Sequence, residues 1–218
     1  RGSVTPHGGR GRVLGTNPIA WGLPTGGEPI VVDFATSGCA WGKLGVAMAR
    51  GLPVPEGLLL DKQGRPTTDP NVMSDGGVML PFGAHKGYGL GVVVEMLGGG
   101  LSGVGPVFWR EEGHNQGTFL MALNVEAFGP LEEFRAMADG LALKLKATDC
   151  LPGNDEVLVP GEPERRSRAE RAQTGIPLPD TLKAPDPGTS GPYTVAYLTY
   201  GSGEDRRPEF GAEAAFTP

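Results

Sequence analysis

The apolar residues change their spacing repeatedly between Ile30 and Leu145, and this alternation constrains the fold more than any other feature. Ile30-Val31-Val32-Asp33-Phe34-Ala35 is a short, nearly continuous apolar run behind the turn-forming Gly26-Gly27-Glu28-Pro29, which suits a buried strand. From Gly87 onward Leu90, Val93, Val94, Leu97 and Leu101 recur at three and four. That spacing predicts a helix starting directly after residues 81–86, weakened at its end by Gly98-Gly99-Gly100. Leu131, Phe134, Met137, Leu141 and Leu145 mark a second, amphipathic helix, which follows Pro130 and carries Glu132-Glu133 at its positive end. Residues 40–49 predict a short helix stopped by Gly51 and Pro53, residues 58–60 a strand end before the polar turn 61–66, and residues 118–123 another apolar strand. The expected class is therefore α/β, a mixed sheet with helices packed on it.

Outside this region the signals are weaker. Residues 1–18, with Gly8-Gly9, Gly11 and Gly15-Thr16-Asn17-Pro18, read as a loop entering a sheet. Residues 162–173 mix Arg165, Arg166, Arg168 and Arg171 with Glu162, Glu164 and Glu170, the pattern of a solvated helix. A domain over 1–182 is expected to give way at Pro185-Asp186-Pro187-Gly188 to an atypical, poorly ordered tail over 183–218. The counter-reading for the tail is residues 193–200, Tyr-Thr-Val-Ala-Tyr-Leu-Thr-Tyr, whose high strand propensity could add to a sheet edge. The 37 glycines and 21 prolines raise the prospect of disorder, but 39% apolar residues favour a loop-rich globular protein.

Nineteen Lys+Arg against 25 Asp+Glu leave a net charge of -6, so a nucleic-acid partner is not expected. There is no apolar run long enough to span a membrane and no signal architecture at Arg1, which points to the cytoplasm and to no membrane partner. Cys39 and Cys150 stand alone, without a CxxC or a Cys/His cluster. They predict free, buried thiols or at most one disulfide, and no metal site. Hydrolase and P-loop motifs are absent, and Gly87-Tyr88-Gly89-Leu90-Gly91 lacks the Rossmann spacing.

Candidate chemistry gathers at Gly83-Ala84-His85-Lys86-Gly87-Tyr88-Gly89. Here a cationic pair stands between glycines at a helix start, where free N–H groups favour an anion. Lys86 would neutralise a phosphate or carboxylate; the bland alternative is an exposed lysine on a glycine-rich turn. Asp33, at the end of an apolar strand, suits a ribose hydroxyl or else serves as a turn or N-cap acid. His114-Asn115-Gln116 is either a ligand-facing donor set or a surface loop.

Five motifs carry a resemblance: Leu14-Gly15-Thr16-Asn17-Pro18-Ile19-Ala20; Val32-Asp33-Phe34-Ala35-Thr36-Ser37; Gly64-Arg65-Pro66-Thr67-Thr68-Asp69-Pro70; Leu80-Pro81-Phe82-Gly83-Ala84-His85-Lys86-Gly87-Tyr88-Gly89-Leu90; and Val159-Pro160-Gly161-Glu162. In words, order and spacing they resemble the malate/L-lactate dehydrogenase family, whose nicotinamide-binding fold is not a Rossmann fold. Its members include ureidoglycolate and sulfolactate dehydrogenases, 2,3-diketogulonate reductase and a piperideine-carboxylate reductase. The resemblance implies NAD or NADP as cofactor, contacted by Asp33, Phe34, Ala35, Lys86, Gly161 and Glu162, and a small 2-hydroxy or 2-oxo acid as substrate. It also implies a homodimer at full length.

The same resemblance places the family's catalytic histidine upstream of Arg1, in an N-terminal part not present here, and finds no counterpart for the tail. Both points suggest a fragment. His85 is the local substitute for the missing acid/base. The expected activity is hydride transfer between the cofactor and the acid. The alternative is a cofactor- or anion-binding module without turnover.

Overall fold

A computed structural model describes residues 2–109 and 117–177, together with the backbone of 198–199 and 209–210. His114-Asn115-Gln116 and the expected boundary at 182/183 lie outside the described residues. The chain divides into two compact units, Arg1–Ser167 and Arg168–Pro218. In the second, β6 (Leu198–Thr199) pairs antiparallel with β7 (Glu209–Phe210). All that follows concerns the first unit, apart from the end of one helix.

The mixed α/β class holds, with the strands distributed over small antiparallel sheets. β1 (Pro18–Leu23) and β2 (Ile30–Ala35) form a hairpin in which Leu23 pairs with Ile30 and Pro18 with Ala35. Its turn is closed by Thr25 Oγ1, which donates to the Glu28 carbonyl at 2.9 Å and accepts from Gly27 N–H at 3.0 Å. The apolar run of β2 predicts burial on both faces, yet only Ile30 is buried and Val31 is 38% exposed. A two-stranded ribbon has no further strands or stacked layer to enclose it.

The packed core lies instead around β3 (Leu59–Leu60), flanked by β4 (Pro66–Thr67) and β5 (Val78–Met79). Val4, Leu14, Leu44, Val54, Leu59, Met73 and Met79 form one buried cluster. The N-terminal segment, expected to be a loop, contributes two of these residues. Val4 bridges Met79 in parallel and Leu14 antiparallel, and Thr5 N–H donates to Met79 O at 3.0 Å. Arg12 seals the arrangement by donating from Nε to Gly77 O at 2.8 Å and from Nη2 to Met73 O at 2.5 Å.

α1 (Trp41–Arg50) ends as expected at Gly51, whose φ of 63° is the left-handed cap glycine tolerates. α2 (His85–Val94) continues into a π-helical turn, Glu95–Gly100. α3 (Leu131–Lys146) forms where predicted, but buries only Ala138; Met137 is 66% and Leu141 54% exposed. α4 (Glu162–Thr174) buries nothing, as its charge pattern requires. Residues 118–123 form no strand, because no neighbouring strand among the described residues offers a ladder. Both cysteines are free, but Cys150 is exposed and Cys39 only half-buried, contrary to the expectation of two buried thiols. Partial burial pushes the Cys39 thiol upward. No helix among the described residues is long and apolar enough to cross a membrane.

Candidate functional site at the head of α2

The segment leading into α2 is tightly wound. Gly83 and Ala84 both have positive φ, 52° and 55°. For an alanine this conformation is strained by about 1–3 kcal/mol and persists only where the surroundings enforce it. They do so here: Phe82 O accepts from Gly87 N–H at 3.0 Å, Gly83 O from Lys86 N–H at 3.2 Å, and Ala84 O from Tyr88 N–H at 3.2 Å. A Cβ on residue 87 would lie 2.2 Å from Phe82 O, so only glycine lets the turn close. Beside it, His85 and Lys86 are exposed on the first turn. The Lys86 side chain has no ion-pair or hydrogen-bond partner among the described residues. His7, not singled out from the sequence, brings its ring edge-on to His85 at 6.1 Å.

The end of β2 is locked against this turn. Phe34 meets Phe82 edge-to-face at 5.3 Å, and Trp21 lies 6.0 Å from Phe34 on the same face of the ribbon. Phe82 N–H donates to Thr36 O at 3.1 Å and Gly38 N–H to Leu80 O at 2.7 Å. Strand alternation puts Asp33 and Ala35 on the face opposite Phe34. Asp33 is exposed and makes no side-chain hydrogen bond or ion pair among the described residues. It does not cap α1, whose N-cap is Ala40.

The Val159–Glu162 motif also reaches β2. Val31 N–H donates to Pro160 O at 3.2 Å. Gly161, at φ 87°, sits so close that a Cβ would meet Val31 Cβ at 3.1 Å and its nitrogen at 3.2 Å. Gly161 thus abuts a residue two positions before Asp33. The Glu162 carboxylate turns instead into an ion cluster. It accepts from Lys146 Nζ at 2.7 Å, Arg166 Nη2 at 2.6 Å and Val159 N–H at 3.3 Å. These bonds, that from Lys146 foremost, hold its pKa down to about 2.

Two of the three segments singled out for the cofactor therefore meet directly at Phe34 and Phe82, and the third is fastened to the same strand. A sequence model described as malate/L-lactate dehydrogenase matches residues 1–184. The chain belongs to this family. The chain is 38% identical over 188 residues to the L-sulfolactate dehydrogenase of Methanothermobacter thermautotrophicus, covering 83% of this chain and 52% of that one. It is 40% identical over 178 residues to the L-lactate dehydrogenase of Cupriavidus necator, covering 78% and 51%. The solved malate dehydrogenase of Pyrococcus horikoshii superposes with a TM-score of 0.71 at 32% identity, over 84% of this chain and 52% of its own. The chain spans about half the length of the curated relatives it matches.

In this member of the malate/L-lactate dehydrogenase family, the positioning roles of two residues, Asn17 and Glu95, escaped the sequence reading. Asn17, with a φ of 42°, donates through Nδ2 to Gly91 O at 2.9 Å and to Glu95 Oε2 at 2.6 Å. Glu95, 6% exposed, also accepts from Val107 N–H. The available signal was a lone carboxylate inside the apolar run Val92-Val93-Val94-Glu95-Met96-Leu97, since a buried charge demands partners.

Proposed function

We propose that this chain binds a nicotinamide cofactor, NAD or NADP, at the head of α2 and beside the end of β2. On this reading it is part of an oxidoreductase that moves a hydride between that cofactor and a small 2-hydroxy or 2-oxo acid. The observation that carries the reading is Lys86, an ammonium with no partner among the described residues on the first turn of a helix whose strained approach is held in place by β2. The dehydrogenase names of the relatives support the reaction class.

The residues present fit an anionic dinucleotide. Lys86 would neutralise phosphate through a charge-assisted hydrogen bond, and the exposed Asp33 carboxylate would accept from sugar hydroxyls. Phe34 would supply apolar surface on the face of the strand toward Phe82 and Ala35 on the face of Asp33, so that the cofactor would run past the strand end, and Gly161 would let backbone approach closely. Glu162 would contribute by position, fastening the Pro160–Gly161 turn through Lys146 and Arg166. When bound, the nicotinamide ring would supply or accept the hydride. The substrate oxygen also needs a proton donor or acceptor, a role suited to histidine. The family resemblance assigns that role to a histidine upstream of Arg1; His85 is the local candidate, with His7 beside it. The reading extends to a cytoplasmic homodimer when the protein is full length.

Calorimetric titration with NADH and NADPH tests this reading. Lys86→Ala should weaken binding by about 1.5–3 kcal/mol, the loss expected for a charge-assisted hydrogen bond. Equal affinity of wild type and variant would refute the assignment.

A further inference from the structure

Residues 118–123, Thr-Phe-Leu-Met-Ala-Leu, have the composition of a sheet strand and none of its pairing. Phe119 is 44%, Leu120 89%, Met121 69% and Leu123 68% exposed, so side chains of both alternating sets face solvent. Backbone hydrogen bonds for these six residues are absent among the described residues. The segment is nevertheless fixed at both ends. Gly117 is pressed so closely on the π-helical turn that a Cβ there would come within 1.9 Å of Gly98 O. At the far end Asn124 Oδ1 accepts from Glu126 N–H at 3.1 Å, capping the short turn Val125–Ala127. Phe128, 85% exposed, and the outward residues Met137 and Leu141 of α3 add further uncovered apolar surface in the same stretch of chain.

We propose that residues 118–123 are one strand of a sheet completed by the polypeptide that makes up the rest of the relatives' length. A strand that the described residues leave bare on both edges and both faces needs neighbours on all sides. A second copy pairing strand to strand across a two-fold axis would satisfy one edge and leave the other open. The matched relatives and solved structures carry about as much chain again outside the matched region, enough to supply strands and a covering layer. The occupant is therefore a folded polypeptide presenting an apolar strand. This inference does not depend on the cofactor reading.

The test joins residues 1–218 in one polypeptide to the part of the Methanothermobacter thermautotrophicus L-sulfolactate dehydrogenase that they do not match. Amide hydrogen exchange is followed at 118–123. Pairing should slow exchange there by at least about 100-fold relative to residues 1–218 alone, as local opening becomes costly. The double variant Leu120→Asp, Leu123→Asp should abolish that protection without lowering the melting temperature of residues 1–218 alone. Three results would overturn the proposal: equally fast exchange in the joined polypeptide, protection already present in residues 1–218 at any concentration, or protection that rises with their concentration. The last would identify a second copy as the occupant.

Discussion

Asn17 and Glu95 join the start of β1 to the far end of α2, the Asn17 amide donating to Glu95 Oε2 at 2.6 Å inside the protein. The other carboxylate oxygen takes the Val107 N–H. One buried acid thus ties together three segments distant in sequence, and the ribbon carrying Asp33 is held against the helix carrying Lys86. Replacing it leaves two donors without an acceptor. Glu95→Ala should cost about 1–3 kcal/mol of stability, the penalty of stranded buried donors, and Glu95→Gln less because one acceptor survives. Urea unfolding measures both; an unchanged midpoint for Glu95→Ala would contradict the tie.

Gly87 and Gly89 make a controlled pair on the same helix. At residue 87 an added Cβ would meet a backbone carbonyl that cannot swing aside, whereas nothing lies within 4 Å of one at residue 89. Gly87→Ala should destabilise by about 1–3 kcal/mol through overpacking and loosen the turn that presents Lys86, reducing cofactor affinity as well. Gly89→Ala should stabilise by about 0.5–1 kcal/mol through helix propensity. Thermal melts of the two variants decide it, and similar shifts would argue against a steric closure at Gly87.

Acid should erode the stability that the Glu162 cluster contributes. Its carboxyl is depressed from 4.5 to about 2, chiefly by Lys146 and then by Arg166. A depressed carboxyl stabilises the fold fully above its unfolded value and loses that contribution as pH falls from about 4.5 toward 2. Glu162→Gln should flatten the dependence of melting temperature on pH in this window, and added salt should weaken the cluster because its cations are partly exposed. An acid slope identical to wild type would remove Glu162 from the account.

Residues 1–218 alone should show negligible turnover with malate, lactate or ureidoglycolate and their oxo forms. Positioned proton transfer contributes about 10²- to 10⁴-fold, and the resemblance places its histidine upstream of Arg1. Cofactor binding should persist without catalysis. Robust activity that disappears in His85→Ala would instead give His85 the acid/base role.

Legibility varied with the range of the interactions involved. The Gly83–Gly89 turn was readable because its constraint is local: glycines, a cationic pair and a change of period stand within one helical turn of each other. The link from Phe34 to Phe82 could be anticipated only through the resemblance, since 48 positions separate two aromatic residues that composition leaves equivalent. The resemblance implied a cofactor contact at Glu162, whereas its carboxylate is held by Arg166 on its own helix and by Lys146 on another, 16 positions away, a partner that local spacing does not record.

By itself the sequence determined the α/β class, the presence of α1, α2 and α3, the glycine stop of α1, the start of α3 after Pro130, the solvated nature of α4 and the family, because hydrophobic period, capping glycines and motif spacing are properties of neighbouring residues. Tertiary structure alone decided which faces are covered. It took Val4 and Leu14 out of an apparent loop into the core, left β2 in a half-exposed ribbon, turned α3 outward and denied residues 118–123 a ladder. The physical reason is common to all four. Burial and strand pairing are completed by partners far along the chain, and an apolar pattern records that a residue needs cover without recording what supplies it.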